Sequence, residues 1–392
     1  MTALHPHSSR GRIASAAAVA TVVVLAVGCG SAGTRNAGPG HRAPPASLPL
    51  ATSIGGPGQP AWAVVQMGGS SASHNNFWEL FVRPDGSAQW KLATPLGVAS
   101  NGGLTVTSAG AGAVAGFHPS QDLTFSPLAA TASPAAAWSQ GGAPVTPGLA
   151  SVPDALAAGP SGQLLALTRT GEVLFSAHDG AAWTRLTSLR TVAASAAGRQ
   201  CGLTELTAVA FTSAGTPLLG GACTRIGAAG VFIAERGATV AAAVPLQASG
   251  AVTVLGLTRQ ANRTMALLEV GTGAAAGVVA AWLATGPSGG TVSAAVPTLG
   301  GAPRSEAMWS GGGAGLVLTG GRAETIARPG ANWQALPTLP ARTATLALGP
   351  DGLPEALAAR GASLTVWQLT ADGTGWNQVQ QIKVTIPYGS SG

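Results

Sequence analysis

The sequence predicts an all-β fold built from repeated four-stranded sheets, and three observations support that prediction. The chain of 392 residues is rich in Gly (57) and Pro (27), and only 9% of its residues are charged. Ala, Thr, Ser and Val fill most of the remainder, which favours short strands joined by many turns over long helices. A turn motif also recurs along the chain. Since 46% of the residues are hydrophobic, the chain can bury a large core and should fold.

The recurring unit begins with a turn between two apolar strands. The segment Leu156–Gly162 recurs as Leu346–Gly352, and each copy is followed by an apolar strand, a second strand and a turn that contains Trp. Val209–Leu219 is a looser third copy. Self-similarity at a fixed spacing is the mark of stacked or radially arranged sheets.

The closing turn of each unit is the sharper signal. Four copies place Gly or Ser three residues before Trp, and their marker residues are Asp85 and Trp90; Ser176, Asp179, Gly180 and Trp183; Gly330 and Trp333; Asp372, Gly373 and Trp376. Val240 takes the place of Trp in a degenerate copy. With Trp138 and a weak site near Thr291, the closing turns fall at positions 90, 138, 183, 240, 291, 333 and 376. We therefore predict a β-propeller of about seven four-stranded blades, with six or eight also open.

These turns resemble the Asp-box, or BNR repeat, of sialidase-like propellers, whose pattern is Ser-x-Asp-x-Gly-x-x-Trp. Ser176, Gly180 and Trp183 match it position by position, whereas His178 stands at the Asp position and the acid has moved to Asp179. The resemblance implies a hairpin lock in which Ser or Asp caps turn amides, Gly adopts a positive φ and Trp fills the space between sheets. It bears on fold and not on activity. A pair of β-sandwiches and a non-repeating β fold are the alternatives.

The amino terminus predicts export. Arg10 and Arg12 precede an uncharged apolar run, 13–27, that ends at Gly28 and Cys29, which is the order of regions in a cleavable signal. Fifteen apolar residues are short of the roughly 20 that an uncleaved membrane helix needs.

The end of this run resembles the lipobox of bacterial lipoproteins, although Leu25 lies one position earlier than the family prefers and Ala26 takes its place. The resemblance implies a lipid on Cys29. We expect a signal peptide over 1–28, a Gly/Pro/Ser-rich linker over 29–60 and the propeller domain over 61–392, held outside the cell membrane.

The charge pattern argues against a nucleic-acid partner. The formal charge is +6, and Arg10 and Arg12 lie in the predicted signal, which leaves 6 − 2 = +4. The remaining Arg residues are scattered singly rather than in runs. Lys91 and Lys383 are the only lysines, and this bias toward Arg and Ala indicates a GC-rich, actinobacterial source.

Two cysteines remain once Cys29 is assigned to lipid. Cys201 and Cys223 form an even pair in an oxidising compartment, so we predict a disulfide. A hairpin with strands 206–211 and 217–221 would bring the two thiols together. Their spacing is not Cys-x-x-Cys and no His lies nearby, which argues against a metal site.

No catalytic set is visible in the sequence. Sialidases use a Tyr nucleophile, and the single Tyr of this chain is Tyr388, near its end. Four of the six Asp residues directly precede Gly, as in tight turns (Asp85, Asp179, Asp351, Asp372). His74, His118 and His178 are isolated, so neither a metal nor another cofactor is predicted.

The leading hypothesis is a non-enzymatic, lipid-anchored propeller that binds or scaffolds an envelope protein or glycan. A glycan-active propeller hydrolase or lyase is the second hypothesis, and a solute-binding or glycan-binding lipoprotein is the third. Acids and Arg that converge at the channel mouth would favour an enzyme, and exposed Trp there would favour a glycan binder.

Overall fold

The structure is a computed structural model. It describes residues 53–68, 76–98, 103–118, 128–140, 152–212, 214–225, 228–235, 238–245, 250–260, 263–271, 277–283, 293–294, 303–308, 315–319, 322–327 and 331–385. All of them lie within a compact unit that spans 44–392.

The described strands follow one another in antiparallel meanders of four. The first three meanders are β1 (Ser53–Gly56), β2 (Gln59–Gly68), β3 (Asn76–Arg83) and β4 (Lys91–Leu92); β5 (Leu104–Ala109), β6 (Gly112–Phe117), β7 (Leu128–Thr131) and β8 (Ser139–Gln140); β9 (Ala155–Ala158), β10 (Leu164–Leu167), β11 (Glu172–Ser176) and β12 (Thr184–Ser188). Two short helices follow, α1 (Leu189–Ala193) and α2 (Ala196–Cys201).

The remaining strands continue the same pattern. They are β13 (Leu203–Phe211), β14 (Pro217–Cys223), β15 (Ala228–Glu235) and β16 (Ala238–Pro245); β17 (Val252–Gln260), β18 (Arg263–Val270), β19 (Gly277–Leu283) and β20 (Ser293–Ala294); β21 (Pro303–Met308), β22 (Gly315–Thr319), β23 (Arg322–Ile326) and β24 (Gln334–Ala335); β25 (Thr343–Leu348), β26 (Pro354–Arg360), β27 (Ser363–Leu369) and β28 (Trp376–Lys383). Seven meanders are therefore present in the described part of the chain, and we number them blades 1 to 7.

The blades form a closed ring. Seven apolar clusters fill the described core, and each joins one blade to the next. Trp62 and Phe117 belong to the cluster between blades 1 and 2, and Leu128 and Leu164 to that between blades 2 and 3. The last cluster joins blade 7 to blade 1. Sheets that pack in a closed cycle form a β-propeller, so the predicted fold class is confirmed.

The innermost strands also contact each other through the backbone. β1 of blade 1 runs parallel to β21 of blade 6, with Ser53 opposite Ala307. β14, the second strand of blade 4, also pairs at its end with the start of β17 in blade 5. These pairings draw the inner edges of the blades together at the centre of the ring.

The predicted closing turns fall where the fourth strand of each blade begins. Positions 90, 138, 183, 333 and 376 lie at or directly before the starts of β4, β8, β12, β24 and β28, while 240 and 291 lie within two residues of the starts of β16 and β20. The period read from the sequence is therefore the period of the blades.

The ring has two faces. One face, here called the turn face, carries the turns between first and second strands and between third and fourth strands. The opposite face, here called the helix face, carries the turns between second and third strands and the connections between blades, including α1 and α2. The four-stranded meander fixes this assignment for every blade, because successive strands alternate in direction.

The ring begins earlier than position 61. β1 starts at Ser53, inside the segment 29–60 predicted as linker, and its sequence Ser-Ile-Gly-Gly has too few apolar residues to give a strand period. Cys29 lies outside the described residues. No helix in the described part of the chain is long and apolar enough to cross a membrane.

Candidate functional site

Two acids and an Arg converge where blade 7 meets blade 1. Arg83 ends β3, and its Nη1 donates to Glu355 Oε1 (2.5 Å) while its Nη2 donates to Asp351 Oδ2 (2.8 Å). Trp90 Nε1 donates to the second Glu355 oxygen (2.9 Å). We call Arg83, Trp90, Asp351 and Glu355 the closure cluster, because it joins the first blade of the ring to the last.

Each side-chain nitrogen and carboxylate oxygen of the closure cluster has a hydrogen-bond partner. Arg83 Nε donates to the Ser87 carbonyl (2.8 Å), and Asp351 also accepts from Gln368 Nε2 (2.8 Å) and from the Leu353 amide (3.1 Å). The side chains of Arg83 and Glu355 are 6% and 1% exposed. Buried charged groups with this many partners hold the two blades in one arrangement.

Burial sets the electrostatics of the closure cluster. Burial raises the pKa of Glu355 to about 7, against the Arg83 charge and the Trp90 hydrogen bond, and the negative charge of Asp351 adds to the rise. Burial also raises the pKa of Asp351, but the hydrogen bonds from Arg83 and Leu353 and the Arg83 charge outweigh it and hold that pKa below its usual value. Asp351 therefore stays charged and neutralises Arg83 while Glu355 titrates near neutrality.

The closing turn of blade 3 is a capped turn with a buried serine. Ser176 is fully buried, and its Oγ accepts from the Gly180 amide (3.1 Å). Gly180 has φ +80° and Asp179 has φ +46°. Trp183 Nε1 donates to the Gly180 carbonyl (3.1 Å), and the ring packs against the cluster between blades 2 and 3.

The closing turns of blades 1 and 7 also have a side chain that accepts a hydrogen bond from a turn amide. Asp85 accepts from the Gly86 amide (3.0 Å), and Asp372 accepts from the Thr374 amide (3.1 Å), so both cap their turns. Hydrogen bonds from Thr370 and Thr374 lower the pKa of Asp372. Gly373 has φ +72°. Gly330 lies outside the described residues.

The Trp residues of the closing turns lie between blades, as the resemblance implied. Trp90 is buried between blades 7 and 1, while Trp333 and Trp376 are half-buried between blades 5 and 6 and between blades 6 and 7. Trp138 packs edge-on against Trp62, with ring centroids 5.9 Å apart. These rings pack between neighbouring blades.

The predicted disulfide between Cys201 and Cys223 is present. It ties the end of α2 to β14, and both cysteines are buried in the cluster between blades 3 and 4. The helices were not predicted. Their signals are local, since Ser188 and Ser195 cap them by accepting from the Thr191 and Gly198 amides.

The inner strands carry hydroxyl and small apolar side chains. Ser53 Oγ donates to the Leu346 carbonyl (2.6 Å), and Thr207 Oγ1 donates to the Val254 carbonyl (2.5 Å). Glu205 is the single ionisable residue among the inner-strand side chains that the structure describes. In the same described residues, no three His, Cys, Asp or Glu side chains group as metal ligands would.

An open cavity of about 490 Å³ lies at the outer edge of blade 3. The closing turn and β12 form it, and its lining is Phe175, Ala177, His178, Ala181, Ala182, Thr184, Arg185 and Leu186. Arg185 is exposed and its Nη1 lies 3.4 Å from Glu172. His178 is also exposed, so a largely apolar floor is flanked by two basic side chains.

The chain matches no known protein family and no curated protein. Among solved structures it is similar to YCF48 bound to D1 peptide (14% identity, 88% of this chain and 95% of that chain, TM-score 0.45). It is also similar to chains in the mitotic checkpoint complex (13%, 79% and 84%, 0.48) and in the nidogen/laminin complex (11%, 68% and 89%, 0.42). Likeness at this level carries no statement about function, and the fold rests on the strand pairing and the seven interfaces.

Proposed function

We propose that this chain is a lipid-anchored β-propeller outside the cell membrane that acts as a non-enzymatic binding or scaffold module. The observation that carries the proposal is the closure cluster. It is the place where carboxylates and an Arg converge in the described residues, and its buried hydrogen bonds are all used within the protein. A hydrolase needs a carboxyl group that reaches its substrate; here Glu355 is buried and Asp351 is held by Arg83, Gln368 and the Leu353 amide.

The cavity on blade 3 is the binding surface we assign to this function. Its apolar floor includes Phe175 and Leu186, and Arg185 and His178 stand at its rim. Such a lining suits an apolar side chain of a protein partner that is flanked by an acidic residue. We therefore propose a protein segment of that chemistry as the ligand.

A photo-cross-linking residue in place of Ala182 tests this assignment in the cell envelope. We expect a cross-linked protein that disappears when Arg185→Glu is added, because the reversed charge repels an acidic segment. The same residue in place of Ala371, which is exposed in the closing turn of blade 7, is the control and should give no such product. Equal products at both positions would contradict the assignment.

The anchor is tested separately. We expect Cys29→Ala to move the protein from the membrane fraction to the soluble fraction and to abolish labelling by a fatty-acid analogue. Cys201→Ala/Cys223→Ala is the matched control, because it removes the other two cysteines and should leave lipid labelling intact. Membrane retention of the Cys29→Ala protein would exclude a lipid on this residue as the anchor.

A further inference from the structure

The basic residues that are scattered in the sequence converge on one face of the ring. They fall in turns between second and third strands and in connections between blades, and the meander brings all of these to the helix face. In the described part of the chain, eight exposed basic residues lie there: Arg169, Arg190, Arg199, Arg225, Arg322, Arg342, Arg360 and Lys383. We call this set the basic face.

In the described part of the chain, the acids near the basic face are half-buried or buried, and one of them pairs with a member of the set. Asp154 is half-buried and 3.8 Å from Arg169 Nε, and Glu172 is half-buried and faces Arg185. Glu205 is half-buried and Glu269 is fully buried. The turn face has the opposite character, since it carries the exposed acids of the tight turns, Asp85, Asp179, Asp351 and Asp372.

The chain enters the ring on the basic face. β1 runs from the helix face to the turn face and begins at Ser53. Twenty-four positions separate Ser53 from Cys29 (53 − 29 = 24). The sequence of this segment adds Arg35 and Arg42 and no acid.

We infer that the basic face docks on the anionic phospholipid headgroups of the membrane that holds the anchor. This inference rests on the proposed lipid on Cys29 for its orientation. The bases are spread over blades 3, 4, 6 and 7 and their connections, which suits a broad planar surface better than a single acidic peptide. A tether that begins on the same face keeps these charges near the headgroups, where attraction extends over about one Debye length of roughly 8 Å.

This orientation leaves the proposed binding cavity free. The closing turn of blade 3, which supplies part of the cavity lining, is on the turn face, opposite the docked face. The exposed Asp residues of the turn face would be repelled by the same headgroups. In this orientation the basic face contacts the headgroups, and the proposed binding cavity stays accessible to a partner.

Vesicle binding by residues 44–392 tests the inference without the anchor, because all seven blade interfaces lie within this unit. The probe is vesicles of phosphatidylcholine with about 30 mol% phosphatidylglycerol at roughly 50 mM NaCl. We expect sedimentation with these vesicles, release at high salt and no sedimentation with pure phosphatidylcholine. Arg190→Gln/Arg225→Gln should weaken partitioning about 25-fold, since each cation near an anionic surface contributes about fivefold.

The matched controls are single variants. Lys91→Gln removes an exposed base at the start of β4 on the turn face, and we expect its partitioning to stay within about twofold of the wild type, whereas Arg190→Gln, with the same net charge, should lose about fivefold. Equal losses in both variants, or no sedimentation of the wild type, would overturn the inference. Binding to an acidic protein or nucleic acid but not to vesicles would overturn it as well. Each of these failures would leave the anchor unaffected, since lipidation of Cys29 is measured independently.

Discussion

Different interactions hold two of the blade interfaces together, the one between blades 7 and 1 and the one between blades 3 and 4. The first joins the two ends of the ring through an apolar cluster and through the buried charges of the closure cluster. The second joins neighbours in sequence through a large apolar cluster, two helices and a disulfide. Blades 3 and 4 are consecutive in the sequence, whereas Arg83 of blade 1 and Glu355 of blade 7 are 272 residues apart. Directional hydrogen bonds specify which two blades close the ring.

The largest expected effect comes from breaking the closure cluster. Arg83→Leu removes the positive partner of buried Glu355, so we expect the free energy of unfolding to fall by about 4 kcal/mol. Denaturation by urea measures it. Arg185→Leu is the control, because it breaks an exposed pair and should cost less than about 1 kcal/mol. Similar losses in both variants would mean that the buried network is not what closes the ring.

The pH dependence of stability also distinguishes the interface between blades 7 and 1 from the interface between blades 3 and 4. Because the pKa of Glu355 is raised to about 7, the stability due to its protonation is full below an unfolded value near 4.5 and is lost as pH rises through 7. We expect up to about 3 kcal/mol less stability at pH 8 than at pH 4.5 from this group. The lowered pKa of Asp351 acts at the other end, where stability is lost as pH falls below its ordinary value.

Glu355→Gln isolates the titration. The amide keeps the shape of the carboxyl group without its charge, and Asp351 still neutralises Arg83, so we expect the decline toward pH 8 to disappear. Glu172→Gln is the control, since it changes a half-buried acid of blade 3 and should leave the decline in place. A decline that survives Glu355→Gln would assign it to another group.

Removal of the disulfide tests the other region. Cys201→Ala/Cys223→Ala opens a loop with a sequence separation of 22, and we expect a loss of about 3 kcal/mol. Reduction of the wild type should give a similar loss and should have no effect on the double variant. If reduction destabilises both proteins equally, the effect does not come from this bond.

The smallest expected effect is in a closing turn. Ser176→Ala removes the buried acceptor of the Gly180 amide, so we expect a loss of about 1 kcal/mol in thermal or urea denaturation. Ser161→Ala is a matched control, because Ser161 is exposed in a turn of the same blade. A loss in the control as large as that in Ser176→Ala would argue against a lock formed by this hydroxyl.

The sequence alone predicted the features that form within one contiguous segment of the chain. The Trp spacing predicted where fourth strands begin, because each closing turn is a contiguous segment with its own Gly and Trp. The cysteine pair was predictable for the same reason, since a single hairpin brings Cys201 and Cys223 together. A feature formed by one contiguous segment can therefore be predicted from a single sequence.

The non-local parts could not be predicted. Arg83 and Asp351 looked like turn residues, and nothing in the sequence pairs them with Glu355. The Arg residues looked scattered, and only the alternation of strand direction gathers eight of them on the helix face among the described residues. Ring closure and charge segregation depend on which blades meet, and that information is spread over the whole chain.

Native-state hydrogen exchange of the wild type and Arg83→Leu is the most direct test of the closure claim. We expect exchange to increase together in blades 1 and 7, at β2, β3, β26 and β27, while β13 and β14 of blade 4 remain as protected as in the wild type. A uniform increase over all blades, or no increase in blades 1 and 7, would contradict the claim that the closure cluster joins the two ends of the ring.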